Sequence, residues 1–189
     1  MGVYTSFQGR RALISPFRIH ICYLQPIDQE YALLFQRLIR SDCLRCTDSS
    51  EITAGLPEAE VKDNHIRNAV ATIVLVGPQT AASDQVDREI FASLMKTDRY
   101  LHTGLFGVLL PTCSAGSPSL VKRDIIPPRL ADNLRSGFAD LYLWREDAAL
   151  VRAWFQRAVR KRDTILPDNR RPLLNPRPGH SFSFSFQKT

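Results

Sequence analysis

Long apolar runs are missing from this chain of 189 residues. None approaches the roughly 20 residues that a membrane-spanning helix needs, and the N-terminal stretch lacks the sustained apolar core of a secretory signal. Cysteine is also scarce, with only 4 residues at irregular spacing. That number is too small for a disulfide framework and agrees with a reducing compartment. We therefore expect a soluble, cytoplasmic protein.

Glycine-centred catalytic motifs are absent from the sequence as well. There is no Gly-x-Gly-x-x-Gly after a predicted strand, no Gly-x-x-x-x-Gly-Lys and no Gly-x-Ser-x-Gly. These absences argue against a dehydrogenase, a P-loop NTPase and an esterase. A receiver-type phosphoacceptor would need clustered acidic residues after the first strand, where Asp28 stands alone.

The sequence offers little for a metal. Cys43 and Cys46 form a lone Cys-x-x-Cys pair, whereas a structural zinc site normally has four ligands. No ligand spacing links the histidines, which are His20, His65, His102 and His180. We predict no metal and no cofactor, and we interpret His20, on a predicted strand, as a core residue with a satisfied ring.

Acidic residues are outnumbered by basic ones, which gives the chain a formal net charge of +6. A basic chain can bind nucleic acid by neutralising phosphates. Much of the excess, however, lies on one predicted helix and in the C-terminal tail, and no aromatic residues alternate with basic ones on predicted strands, as single-strand binding would require. We predict a solvated basic helix or an acidic partner in place of nucleic acid.

The stretch 71–95 carries the clearest structural pattern. The run 73–76, Ile-Val-Leu-Val, is typical of a parallel strand that is buried on both faces. Gly77 and Pro78 end it. Asp84 is placed to cap a following helix, whose apolar positions form one stripe: Val86, Ile90, Phe91 and Leu94.

Ligands of parallel sheets sit at the carboxyl ends of the strands. We therefore expect the loop 77–83 and the first helical turns to border a pocket, with Glu89 beside the buried stripe. A carboxylate there could stabilise positive charge developing on a bound sugar. The alternative is a surface ion pair of Glu89 with Arg88 or Lys96.

The remaining chain alternates strands with helices. Strands are predicted at 17–24, 42–47, 103–110 and 138–144, and helices at 27–40, 58–70 and 146–162. The apolar stripes expected on the first and last helices include Ile27, Leu34 and Leu150. A long connection, 112–133, is expected to be irregular or to carry a short helical turn.

This alternation predicts an α/β fold, a flavodoxin-like five-stranded parallel sheet with helices on both faces. The predicted organisation is an N-terminal extension at 1–16, one domain at 17–162 and a Pro/Arg/Ser-rich tail at 163–189 that buries little surface.

Four segments carry a family resemblance. These are 72–94, GLFGVLLP at 104–111, PPRLADN at 127–133 and DNRRPLL at 168–174. Together they resemble the TIR-like domain of the Thoeris antiphage protein ThsB and its relatives. The resemblance implies a flavodoxin-like fold and, for active members, cleavage of NAD at the nicotinamide–ribose bond to make a cyclic or conjugated ADP-ribose signal.

The resemblance also implies the site. The stretch 85–90 matches a family motif of the form Trp-Val-x-x-Glu-Ile, which makes Glu89 the catalytic residue, with Gln85 in place of the usual aromatic residue. Substrate contacts are assigned to Cys22, Tyr23, Ser49, Glu51 and Gln85. Tyr23 could stack on a base, and the loop 48–56 could close over the site.

The implied partners follow from this chemistry. NAD is the substrate, an effector protein reads the diffusible signal, a phage-derived factor activates the enzyme, and the domain self-associates, without a membrane. A second hypothesis assumes the same fold without catalysis. The domain would then be a non-enzymatic interaction module that associates with other TIR-like chains or an effector, and Glu89 would be structural.

Overall fold

The computed structural model describes residues 18–40, 45–48, 66, 68–97, 101–113 and 123–175. Ser49, Glu51, the loop 48–56 beyond Asp48 and most of the predicted helix 58–70 lie outside these ranges, as do Cys43 and the N-terminal extension. Within the described ranges, no helix combines the length and the apolar character that crossing a membrane would require.

Five parallel strands form one sheet in the order β2-β1-β3-β4-β5. They are β1 (Arg18–Cys22), β2 (Arg45–Asp48), β3 (Ala69–Val76), β4 (Gly104–Leu109) and β5 (Asp140–Leu143). This confirms the predicted flavodoxin-like sheet. Its strand order reverses between β1 and β3, so the carboxyl ends of these two strands flank the crevice where ligands bind in such folds.

Helices cover both faces of the sheet. They are α1 (Gln29–Arg40), α2 (Asp84–Leu94), α3 (Pro128–Arg135) and α4 (Ala148–Thr164). Ile73 and Leu75 of β3 belong to an apolar cluster with α1 and α4, whereas Val74 and Val76 belong to one with α2 and α3. The strand is therefore buried on both faces, as its apolar run predicted.

The predicted stripe of the first helix is partly wrong. The helix begins at Gln29, after a turn that contains Pro26, and Ile27 remains 52% exposed. Leu34 is also exposed, because the buried face of α1 is formed by Ala32, Phe35 and Ile39. The helix has more apolar residues than one buried face can hold, so more than one apolar stripe fits the helical period.

Several other predictions need correction. Leu150 lies in the first turn of α4 and is 42% exposed, although it was assigned to the buried stripe. The connection 112–133 ends in a true helix, since α3 begins at Pro128. Residues 69–70 belong to β3 and not to the end of a helix, because their backbone continues the ladder beside β1.

The chain beyond Asp163 makes contacts that its composition did not indicate. Helix α4 runs on to Thr164, and residues 168–174, which we call the strap, pack against α2 and α3. A polar sequence can be held in this way because its contacts are hydrogen bonds and not apolar burial. The strap is thus held mainly by hydrogen bonds, and none of its residues is fully buried. Residues 176–189 lie outside the described ranges.

Candidate functional site

A cavity of about 470 Å³ opens at the carboxyl ends of β1 and β3. One wall comes from the turn after β1, residues 24–27, and the other from the loop and first helical turn after β3, including Pro78, Gln79, Ser83 and Gln85. The location is the one predicted for the loop 77–83. Its volume lies within the range of roughly 300–1,000 Å³ that is usual for small-molecule sites.

The start of α2 determines which side chains face this cavity. Ser83, and not Asp84 as predicted, is the N-cap, since its Oγ accepts a hydrogen bond of 3.2 Å from the backbone N–H of Val86. A short 3₁₀ turn at Thr80–Ala82 precedes it. Gln85 consequently lies in the cavity wall, with Glu89 one helical turn further along the same face.

Glu89 is fully buried, and both carboxylate oxygens have a partner. Oε2 lies 2.9 Å from Nε2 of His20 on β1. Oε1 accepts a hydrogen bond of 3.1 Å from Nε2 of Gln85. The alternative of a surface ion pair with Arg88 or Lys96 is therefore wrong, and Arg88 instead approaches Asp84 at 3.8 Å.

Two other predicted contact residues, Cys22 and Tyr23, are not among the residues that line the cavity, and Ser49 and Glu51 lie outside the described residues. Cys22 is buried beneath α2, where its Sγ contacts the carbonyl of Val86 at 3.8 Å. Tyr23 is 2% exposed and belongs to the apolar cluster on the α1–α4 face. Its side chain lies on the opposite side of the sheet from that of Cys22, which belongs to the cluster with α2 and α3. Of the described predictions, only Gln85 and Glu89 come together.

One comparison with known proteins identifies the family of the residues around this cavity. The family model described as Thoeris protein ThsB, TIR-like domain, matches residues 21–114. The chain carries a ThsB-type TIR-like domain. The matched range includes both walls of the cavity as well as Gln85 and Glu89. A search of the curated proteins found no match to the chain.

A second polar cluster of the TIR-like domain lies under the loop after β3. Asp28 is nearly fully buried and accepts a hydrogen bond of 3.3 Å from Thr80 Oγ1, which in turn accepts one of 2.7 Å from the N–H of Gly77. Burial raises the pKa of the Asp28 carboxyl, although the hydrogen bonds from Thr80 and the backbone oppose this shift. The cluster fixes the loop that forms one cavity wall.

Cys113 lies close to the same cluster. Burial, together with the nearby charge of Asp28, raises the pKa of its thiol to about 11. The thiol is therefore neutral at physiological pH and donates to the carbonyl of Val76 at 3.1 Å. A neutral thiol is a poor nucleophile and a poor metal ligand. Among the described residues, no group of three or more His, Cys, Asp or Glu side chains could hold a metal ion.

Gly77→Ala should destabilise the domain. A Cβ at this position would lie 2.5 Å from Asp28 Oδ1, so the loop or the carboxylate must shift, at a cost of about 1–3 kcal/mol in the free energy of unfolding. Chemical denaturation would measure this cost. In an Asp28→Ala background the same substitution should cost much less, and an equal cost in both backgrounds would contradict the assigned contact.

A buried ion pair anchors α2 of the TIR-like domain. Arg129 on α3 and Asp87 on α2 are both fully buried, and the guanidinium donates two hydrogen bonds to the carboxylate, at 2.9 and 3.1 Å. The same guanidinium lies 4.9 Å from the ring centre of Phe91. Bidentate pairs of this kind fix orientation as well as distance.

The strap supplies further hydrogen-bond partners for this ion pair. Arg129 donates to Asn169 Oδ1 and to the carbonyls of Arg171 and Pro172, and the N–H of Leu174 donates to Asp87 Oδ2 at 2.9 Å. Asn169 also donates to the carbonyl of Phe91 at 3.1 Å. The strap thus joins α2 and α3 two residues away from Glu89, a role that the sequence analysis missed.

Proposed function

We propose that this TIR-like domain cleaves NAD at the bond between nicotinamide and ribose, with Glu89 as the catalytic residue. The observation that supports this most is the position of Glu89. It is a buried carboxylate on the helix that begins at the carboxyl edge of the sheet, one hydrogen bond from a residue of the cavity wall. The family match covers the same residues.

The proposed chemistry needs a carboxylate and no metal. The carbon–nitrogen bond breaks with its electron pair moving to nicotinamide, which leaves as a neutral ring. Positive charge then develops on the ribose, and a fixed carboxylate stabilises it through the ribose hydroxyls. The carbon that lost nicotinamide accepts a new electron pair from water, from an atom of the same molecule, or from another small molecule.

Gln85 has to move for this reaction to occur. Its amide occupies Oε1 of Glu89 and also lines the cavity. A ribose hydroxyl that entered from the cavity would replace that amide as a donor to the carboxylate. Gln85 is only partly buried, so its side chain has space in which to rotate.

The proposed partners follow from the product. A cyclic or conjugated ADP-ribose is a small, diffusible molecule, so an effector protein in the cytoplasm would read it. A phage-derived factor would activate cleavage, and self-association of TIR-like domains would accompany it. NAD is the substrate in this proposal, and the domain holds no resident cofactor.

Product analysis tests the proposal. The purified protein is incubated with NAD, with and without a lysate from phage-infected cells, and the products are identified by mass spectrometry. We expect free nicotinamide in equal amounts to ADP-ribose-derived products. Intact NAD under both conditions, with a correctly folded protein, would overturn the proposal.

An interaction module is the second candidate. The observation that favours it is the complete burial of Glu89 with both oxygens bonded, which is also what a structural carboxylate would show. This hypothesis predicts association with TIR-like chains or an effector, unchanged in Glu89→Gln, and no loss of NAD. Light scattering beside the product assay separates the two.

A further inference from the structure

The two partners of Glu89 differ in their surroundings. Gln85 belongs to the cavity wall and is partly exposed. His20 is fully buried and is not among the residues that line the cavity. One partner of the carboxylate therefore lies where a ligand can replace it, whereas the other does not face the cavity.

His20 lies inside the sheet, whereas Gln85 lies in the first turn of a helix. Strand β1 is paired on both sides, with His20 opposite Thr47 of β2 and Thr72 of β3. Two positions along the same face of this strand, Cys22 contacts the carbonyl of Val86 in the first turn of α2. The imidazole and the helix that carries Glu89 are thus held against the same strand.

From this asymmetry we propose that His20 is a positioning residue for Glu89. This inference rests on the proposed function. The hydrogen bond between His20 and Oε2 of Glu89 persists while a ribose hydroxyl replaces Gln85 at Oε1. A buried carboxylate needs hydrogen-bond partners to stay in place. With His20 lost, the carboxylate can rotate away from the ribose, so the chemical step suffers more than the binding of NAD.

Glutamine and asparagine, as replacements for His20, differ in the length of the side chain. A glutamine amide nitrogen extends about as far from the backbone as imidazole Nε2, whereas an asparagine amide is one methylene shorter. His20→Asn should lower kcat by up to about 100-fold, because a misplacement of about 1 Å of a reactive group can cost that much. KM should stay within about threefold, and His20→Gln should recover most of the lost kcat.

A matched control separates positioning from general damage to the core. Thr72 is the register neighbour of His20, and its buried hydroxyl is joined to that of Thr103 at 2.9 Å. Thr72→Val removes this hydrogen bond and should lower the Tm without lowering kcat. If it lowers kcat as much as His20→Asn does, or if His20→Gln and His20→Asn lose equal activity, the positioning role is wrong.

A double substitution adds a second test. If His20 acts only through Glu89, His20→Asn should have no further effect on the residual activity of Glu89→Gln, because effects of residues that act as a unit are not additive. A full additional loss would overturn the inference. The nitrogen NMR signals of the His20 ring should also shift in Glu89→Gln, and an unchanged spectrum would contradict the contact without any assay of activity.

The outcomes distinguish this inference from the proposed function. A wild-type protein that releases no nicotinamide overturns NAD cleavage, and the positioning role falls with it even if the NMR signals report the pair. A wild-type protein that cleaves NAD, together with a His20→Asn variant of unchanged kcat, overturns the positioning role alone. Should His20→Asn not fold, a His20→Gln variant with less than about one-hundredth of the wild-type kcat at an unchanged Tm also overturns it, since that variant retains the donor.

Discussion

Glu89→Gln should reduce NAD cleavage by about a hundred- to a thousandfold while the domain stays folded, because a single preorganised electrostatic group is typically worth that much in rate. The substitution retains the shape of the side chain and removes its charge. Binding of intact NAD should persist, since an amide oxygen can still accept a hydrogen bond from a ribose hydroxyl. Steady-state release of nicotinamide and titration with NAD measure the two effects separately.

The effect of this substitution on stability has two opposing parts. The sequence placed Glu89 at a pocket margin, where a small cost would follow, but the carboxylate is fully buried beside His20 and Gln85. Removing the charge weakens two hydrogen bonds and also removes the cost of burying a carboxylate. We therefore expect a Tm that changes by only a few degrees, in either direction.

The matched control for this experiment is Glu30→Gln. Glu30 lies in the first turn of α1, is exposed, and is not among the residues lining the cavity. The same chemical change at this position should leave both turnover and Tm close to wild type. Wild-type turnover in Glu89→Gln would contradict the catalytic assignment, and equal losses in the two variants would indicate a general effect of charge.

The fold was predictable wherever burial alone determines the sequence pattern. The run 73–76 is apolar without alternation because β3 lies in the middle of a sheet covered on both faces. Helix α1 was harder, since Ile27 and Leu34 are apolar yet exposed. A sequence carries no signal that separates an exposed leucine from a buried one when both fit a helical period.

The candidate site was predictable in part. Its location followed from the general rule for parallel sheets, and Glu89 followed from the family resemblance. The interpretation of His20 as a satisfied core residue agrees with its burial, but its partner is 69 residues away. Spacing within one helix or strand reveals local pairs only, so a contact between β1 and α2 could not be read from the sequence.

The strap shows the same limit more clearly. Its sequence, DNRRPLL, is rich in charge and contains proline, which is the composition of a solvated tail. It is held by hydrogen bonds from its backbone carbonyls and amides to Arg129 and Asp87. Because every residue has these backbone groups, such contacts leave no pattern in the sequence. The family resemblance pointed to the segment without indicating what it contacts.

Arg129→Met should destabilise the domain by about 3–5 kcal/mol, because removing one member of a buried ion pair leaves the other charge uncompensated. Asp87 would keep a fully buried carboxylate, and the carbonyls of Arg171 and Pro172 would lose their donor. For a domain of this size, such a loss corresponds to a fall in Tm of roughly 6–20 °C. Thermal unfolding followed by circular dichroism measures it.

An exposed ion pair of the strap provides the control. Arg170 is 90% exposed and pairs with Asp168 at 2.9 Å, so Arg170→Ala should shift the Tm by less than about 2 °C. Asp87→Asn should resemble Arg129→Met, since it leaves the guanidinium buried without its counter-ion. A fall in Tm that is equally small in all three variants would show that the pair and the strap do not anchor α2. A large fall confined to the Arg129 and Asp87 variants would place the main support of the Glu89 helix in a contact outside the cavity.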